Sequence, residues 1–297
     1  MDTLAGVALA VLAAAGLAGQ TLSIRLATRQ GRSSDVLLVV MFVNLALFVP
    51  AAAVLESEPV ITGRGVLAFA AAGIAGTMLG RAFFYAGIKR VGASRADPIK
   101  ASMPLHATIL AVVVLGEQVT ALQFGGILVI IAGIALVTWE GSAADRTTGS
   151  DMPWFGLALP FAGAFFFGLE PIFASVGLGE DMSVVVGLAI KTIAAIITYV
   201  LFLRLRNELP TLVDVRTADL RWYVAAGFAN TGFLVAYYVG LTVSTVGVVV
   251  PIMQTSPLLV IAVSAVLLRN VETVTPRLLA AAGVIVAGGI TVTLAGP

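Results

Sequence analysis

Long apolar runs alternate with short polar breaks from one end of the chain to the other, and each run is about the length a helix needs to cross a bilayer. A hydrocarbon core about 30 Å thick takes roughly 20 residues of helix. Ten such runs lie near residues 3–24, 36–55, 65–88, 95–115, 119–138, 153–177, 183–203, 221–241, 245–268 and 275–295. The longest polar break, Trp139 to Pro153, holds Gly, Ser, Thr and Asp and reads as a linker. It divides the chain into a five-helix unit at 1–138, a connection at 139–152 and a second five-helix unit at 153–297. The first run has the small-residue texture of a secretory signal, but a signal needs a basic start and this chain opens Met1-Asp2. The pattern predicts an all-α integral membrane protein with ten transmembrane helices.

Composition agrees with that pattern and removes other classes. Hydrophobic residues make up 59% of the 297 and charged residues 11%, and the mean hydropathy is +1.05, too apolar for an ordinary soluble domain. The 31 glycines fit closely packed helices, as in Gly76-Thr77-Met78-Leu79-Gly80. Zero cysteine and one histidine remove disulfides, thiolate chemistry and His-rich metal sites. A formal charge of +1, spread over short loops, leaves no nucleic-acid patch. No cofactor or metal is expected, and a monomer is expected.

The few charges carry topology. Arg25, Arg29, Arg32, Lys89, Arg90, Arg95, Arg146, Arg204, Arg206, Arg216, Arg221, Arg269 and Arg277 all fall at odd-numbered connections. The even-numbered connections hold Arg64 alone, together with Glu56, Glu58, Glu117, Glu180 and Asp181. By the positive-inside rule the odd connections are cytoplasmic and both termini lie outside. The basic loops follow the first and third helices of the first unit but the second and fourth of the second, so the units are expected to be inserted in opposite orientations. Sequence matches between them support this. Pro104-Leu105…Glu117-Gln118-Val119-Thr120…Ala132-Gly133 parallels Pro257-Leu258…Glu272-Thr273-Val274-Thr275…Ala287-Gly288, with two residues inserted before the second glutamate. Phe84-Tyr85-Ala86-Gly87 parallels Tyr237-Tyr238-Val239-Gly240, and aligning Gly6 with Gly156 sets Gln20 opposite Glu170. Two inverted-topology five-helix repeats around a central cavity are the construction of many secondary transporters.

A proline in the fourth helix, a glutamate at the following turn and a glycine in the fifth helix, repeated in both units, resemble the EamA family of the drug/metabolite transporter superfamily. The matching residues are Pro104, Gly116, Glu117 and Gly133, then Pro257, Glu272 and Gly288. Arg269-Asn270-Val271 stands where the second unit would have its glycine. The resemblance implies a bacterial inner-membrane carrier, in several cases an exporter of amino acids or related metabolites.

Ionisable residues inside spans usually face a cavity or a partner, because a charge at the centre of a bilayer costs roughly 2.5 to 3.5 kcal/mol on insertion scales. Arg81, Glu170 and Lys191 stand out. At 1.5 Å per residue, Glu170 and Lys191 lie about 10 and 12 Å from the outer ends of consecutive antiparallel helices. They are expected either to neutralise each other or to bind the ammonium and carboxylate of an amino acid; alternatively Glu170 carries a coupling proton. Arg81 is expected to snorkel or to face the cavity, and Tyr85, Tyr237 and Tyr238 to stack on substrate or join the aromatic belt. His106 offers a proton shuttle or a packing contact. Gln20, Asn44, Asn230, Gln254 and Ser256 would line a wet cavity, and Pro104, Pro171 and Pro257 would kink or hinge their helices. Three readings stay open for the chain. A carrier coupled to protons is favoured over a channel or a carrier for nucleotide sugars or drugs, and a membrane enzyme lacks a catalytic constellation such as HExxH.

Overall fold

The computed structural model describes residues 3–27, 33–141, 155–207, 209, 220–267 and 276–295. The helices are α1 (Thr3–Ala27), α2 (Ser33–Leu55), α3 (Gly63–Val91), α4a (Ala93–Lys100), α4b (Met103–Leu110), α5 (Ala121–Gly141), α6 (Phe155–Leu178), α7 (Val184–Leu205), α8 (Leu220–Val243), α9a (Val246–Met253), α9b (Ser256–Leu267) and α10 (Pro276–Leu294). Counting α4 and α9 as single broken spans, these form ten spans, and each overlaps a run expected from hydropathy. Eight are long and apolar enough to cross a membrane within the described residues, and the apolar parts of the other two run over Ala121–Leu136 and Ala280–Leu294. Outward-facing Val54, Leu67, Val113 and Leu205 leave an apolar perimeter suited to lipid. Most of the 139–152 connection and the Arg269–Thr275 turn with Glu272 lie outside the described residues.

Helix neighbours repeat across the two units. α1 lies on α8 and α6 on α3; α2 touches α8 and α7 touches α3; α1 meets α9 and α6 meets α4; α5 and α10 pair with each other, as do α2 and α7. Exchanging the units (α1 for α6, α2 for α7, and so on) maps each of these pairs onto another or onto itself, as two related repeats require. Lipid supplies no hydrophobic drive between helices, so small residues at the contacts matter most. Ala10, Ala13, Ala14 and Ala18 form one fully buried stripe along α1. Gly133 and Gly288, the aligned glycines of the fifth helices, sit reciprocally at the α5–α10 contact: a Cβ on Gly133 would crowd Ile285, and one on Gly288 would lie 2.8 Å from Ile130 N.

The fourth helix of each repeat is broken at the same place. Pro98-Ile99-Lys100-Ala101-Ser102-Met103-Pro104-Leu105 aligns with Pro251-Ile252-Met253-Gln254-Thr255-Ser256-Pro257-Leu258. The chain turns at Ala101–Ser102 and again at Gln254–Thr255. Pro104 and Pro257 cannot donate to the carbonyl four residues back, and their rings crowd it, so each helix restarts just ahead of its proline. The hydroxyls compensate: Ser102 Oγ donates to Ile99 O and Thr255 Oγ1 to Ile252 O, both at 2.7 Å. Pro171 behaves differently, since α6 runs through it unbroken.

Successive spans alternate in direction, so the described basic residues at odd-numbered connections, Lys89, Arg90, Arg204, Arg206 and Arg221 among them, fall toward one face, and Glu56, Glu58, Glu117, Glu180 and Asp181 toward the other. Near the acidic face the interior is filled: Phe69, Ile172, Leu188, Tyr238 and Val249 belong to one core and are at most 1% exposed. Arg64, the basic exception on that face, pairs with Glu180 at 3.1 Å.

Candidate functional site

Between mid-depth and the basic face the helices part around a cavity of about 340 Å³, within the size range of small-molecule sites. α1 and α2 contribute the halves nearest their shared basic connection, through Gln20, Thr21, Met41 and Asn44. α3 contributes the stretch from Gly76 to Tyr85, which begins in a π-helical segment, Gly73–Gly80. Such wider turns recur at functional sites. The broken helices add Lys100, Met103, Met253 and Gln254.

Two equivalent corners of the cavity have different chemistry. In one, Asn230 Nδ2 donates to Gln20 Oε1 at 3.0 Å, Asn44 Nδ2 donates to Asn230 Oδ1 at 2.7 Å, and Thr231 Oγ1 donates to Asn44 Oδ1 at 2.8 Å. This neutral chain ties α1, α2 and α8. In the other, the repeat partner of Gln20 is Glu170, whose carboxylate accepts directly from Lys191 Nζ, joining α6 and α7. Tyr238 completes that corner. Its hydroxyl donates to Glu170 Oε1 at 3.2 Å, and Lys191 Nζ stands 4.7 Å from its ring centroid. Room for the carboxylate comes from Gly76, where a Cβ would come within 2.8 Å of Glu170 Cδ. The two candidate groups for a zwitterion are thus engaged with each other.

Arg81, Tyr85, Glu170, Lys191, Gln20, Asn44, Asn230, Tyr237 and Gln254 all line the cavity. Tyr237 is 1% exposed, stacks on Phe233 with centroids 5.6 Å apart, and its hydroxyl has no partner among the described residues. His106, Tyr238 and Ser256 are not part of the lining. His106 instead packs edge-on against Phe161, 4.8 Å between centroids, with Nδ1 3.0 Å from Ser102 O. Ser256 is buried as the first residue of α9b. Of the prolines, Pro104 and Pro257 stand at the helix breaks beside the cavity and Pro171 follows Glu170.

Lys100 is a lining residue that the span-by-span reading passed over. Of 17 basic residues, fourteen lie at connections, and the remainder are Arg81, Lys191 and Lys100. That subtraction, or the Pro98/Pro251 register, would have exposed it. Its Nζ lies 4.9 Å from the Phe84 ring centroid and 5.3 Å from that of Phe167, so aromatic faces of α3 and α6 hold the ammonium at the wall.

On the acidic side of the cavity a cap joins the two repeats. Gly116 adopts φ +70, a left-handed turn suited to glycine. The turn delivers Glu117 to the start of α9a, where its carboxylate accepts from Val246 N at 2.8 Å and Gly247 N at 3.1 Å. Thr245, the local N-cap residue, gives α9a no side-chain cap, so Glu117 supplies it from the other repeat. Burial pushes the Glu117 carboxyl above its ordinary value of 4.5, against the pull of the two N–H groups.

The site offers donors, amides and aromatic faces, and among the described residues no group of three acidic or histidine side chains could hold a metal. It is a polar chamber between two related helix bundles. A crystal structure of another protein superposes on 98% of this chain and 96% of its own with a TM-score of 0.72 at 18% identity, which shows a common fold. No curated protein matches the sequence. The EamA-like transporter family model matches twice, at residues 4–139 and 154–294, once over each five-helix bundle. Two tandem copies of that unit, closing on one polar chamber, make this multi-pass membrane protein a member of the EamA-like transporter family.

Proposed function

We propose that the chain is a secondary carrier that moves small metabolites, with amino acids the favoured class, by alternating access across a bacterial inner membrane. The observation that carries this reading is the cavity itself. It lies between two repeats whose contacts exchange onto each other, reaches toward the basic face, and is backed on the acidic side by the Phe69–Leu188–Val249 core. With the basic face cytoplasmic and both termini outside, as the positive-inside rule favours, this is the arrangement that loads from the cytoplasm. Export is the direction proposed. Release would require the α1–α8 and α3–α6 contacts to rock so that the acidic side parts, with the breaks before Pro104 and Pro257 as hinges.

Glu170 is the residue proposed to couple transport to a proton. A proton or a substrate ammonium arriving at its carboxylate competes with Lys191 for the same oxygens, so either would loosen α6 from α7. The test is counterflow in proteoliposomes, with a panel of amino acids, nucleobases and sugars inside and trace label outside. Saturable, substrate-accelerated exchange is expected. Conduction far above carrier turnover would instead make the protein a channel.

A further inference from the structure

The cavity lining carries three cationic side chains, Arg81, Lys100 and Lys191, against one carboxylate, Glu170. Lys191 and Glu170 are spent on each other. Arg81 and Lys100 form no ion pair among the described residues. Lys100 lies within electrostatic range of both Arg81 and Asp97, and Asp97, one turn earlier on α4a and outside the lining, offsets part of its charge. The two rings beside Lys100 attract its ammonium, but by less than burying an ion costs. Among the described residues the lining holds no carboxylate besides Glu170.

Hydrogen-bonding capacity is unbalanced in the same direction. The amide oxygens of Gln20, Asn44 and Asn230 take bonds from inside the protein, and both bonds that Glu170 accepts fall on Oε1. Donors remain. The buried Tyr237 hydroxyl has no partner among the described residues, and the amide of Gln254 points at the weak acceptor Met103 Sδ, 3.5 Å away. A chamber with surplus donors and surplus positive charge fits a ligand rich in acceptors and net negative.

We infer that Arg81 and Lys100 form an anion-docking subsite, and that the substrate is a small organic anion, its carboxylate or phosphate held between these two cations and its apolar body against Phe84, Phe167 and Tyr237. The inference rests on the carrier reading and narrows its substrate class, from zwitterions toward net-negative metabolites.

The experiment measures binding to the purified full-length protein in detergent with four probes of one aromatic body: phenylacetate, phenyl phosphate, phenylalanine and phenethylamine. Phenylacetate or phenyl phosphate is expected to bind at least tenfold more tightly than phenylalanine, and phenethylamine more weakly still; which anion leads identifies the carboxylate or phosphate chemistry. Lys100→Met and Arg81→Gln are each expected to cost the leading anion tenfold or more while flattening its salt dependence. The ranking in the unmodified protein stands as a test even if a variant fails to fold. Phenylalanine or phenethylamine binding as tightly as both anions, or neither anion binding, would overturn the inference. Counterflow of phenylalanine without binding of either anion would overturn it while leaving the carrier reading intact; conduction in place of exchange would remove the carrier reading by itself.

Discussion

Replacing Glu170 by Gln leaves Lys191, only 4% exposed, without its counter-charge beside a bilayer core. Breaking a buried pair from one side typically costs 3–5 kcal/mol, much of it the desolvation of the survivor. Glu170 keeps 13% of its side-chain area exposed along the cavity, and a glutamine there still accepts from Tyr238, so the low end applies: about 3 kcal/mol. Lys191→Met leaves a carboxylate held by Tyr238 alone and is expected to cost a similar amount. The double variant carries neither charge and should lose about 1 kcal/mol, because replacing a buried pair by neutral groups is often nearly free. If the two sites acted independently the double variant would lose about 6 kcal/mol, so the expected coupling is about 5 kcal/mol. The assay is reversible denaturant unfolding of the four proteins in one detergent. Additive losses, or a single variant as stable as the parent, would refute the view that these residues serve each other first.

The Glu117 cap gives a pH dependence. Its folded pKa is raised above 4.5, so the folded state holds its proton more tightly than the unfolded chain; this contribution is fully present below about 4.5 and is lost as pH rises through the raised folded value. Unfolding profiles of the parent and Glu117→Gln should differ by that slope, and superimposable profiles would contradict it. Asn230→Leu removes the centre of the amide chain and strands the amides of Gln20 and Asn44, an expected loss of about 2–4 kcal/mol by chemical unfolding. Gly76→Ala drives a methyl into the Glu170 carboxylate and is expected to lower transport by tenfold or more in a flux assay. His106→Gln should leave the pH profile of transport unchanged, since the ring faces Phe161 and Phe165.

Depth along a helix was legible in the sequence; rotation about its axis was not. A rise of 1.5 Å per residue sufficed to put Glu170 and Lys191 at one level. Tyr237 and Tyr238, adjacent in the chain, are about 100° apart around α8, so one lines the cavity and the other stands behind Glu170. The same ambiguity hid the direction of His106. Hydropathy found the spans to within a few residues but was blind to the breaks in α4 and α9, because two turn residues barely change the average over a membrane-length window. Lys100 was lost for a related reason. It sits in an apolar run that also starts with Arg95 and Asp97, and its charge reads as part of a span edge until the break at Ala101 is known. Pro98 and Pro251, read with Pro104 and Pro257, would have marked both breaks and the register between them.

Alternating access is directly measurable because the chain contains no cysteine. Thr77 lines the cavity on α3. A Thr77→Cys protein in sealed vesicles of known orientation can be challenged with a membrane-impermeant maleimide from one face at a time. A carrier is expected to label from both faces, with labelling from the acidic face abolished when α3 is cross-linked to α6 across the closed core. Labelling from the basic face alone, with or without the cross-link, would contradict alternating access through this cavity.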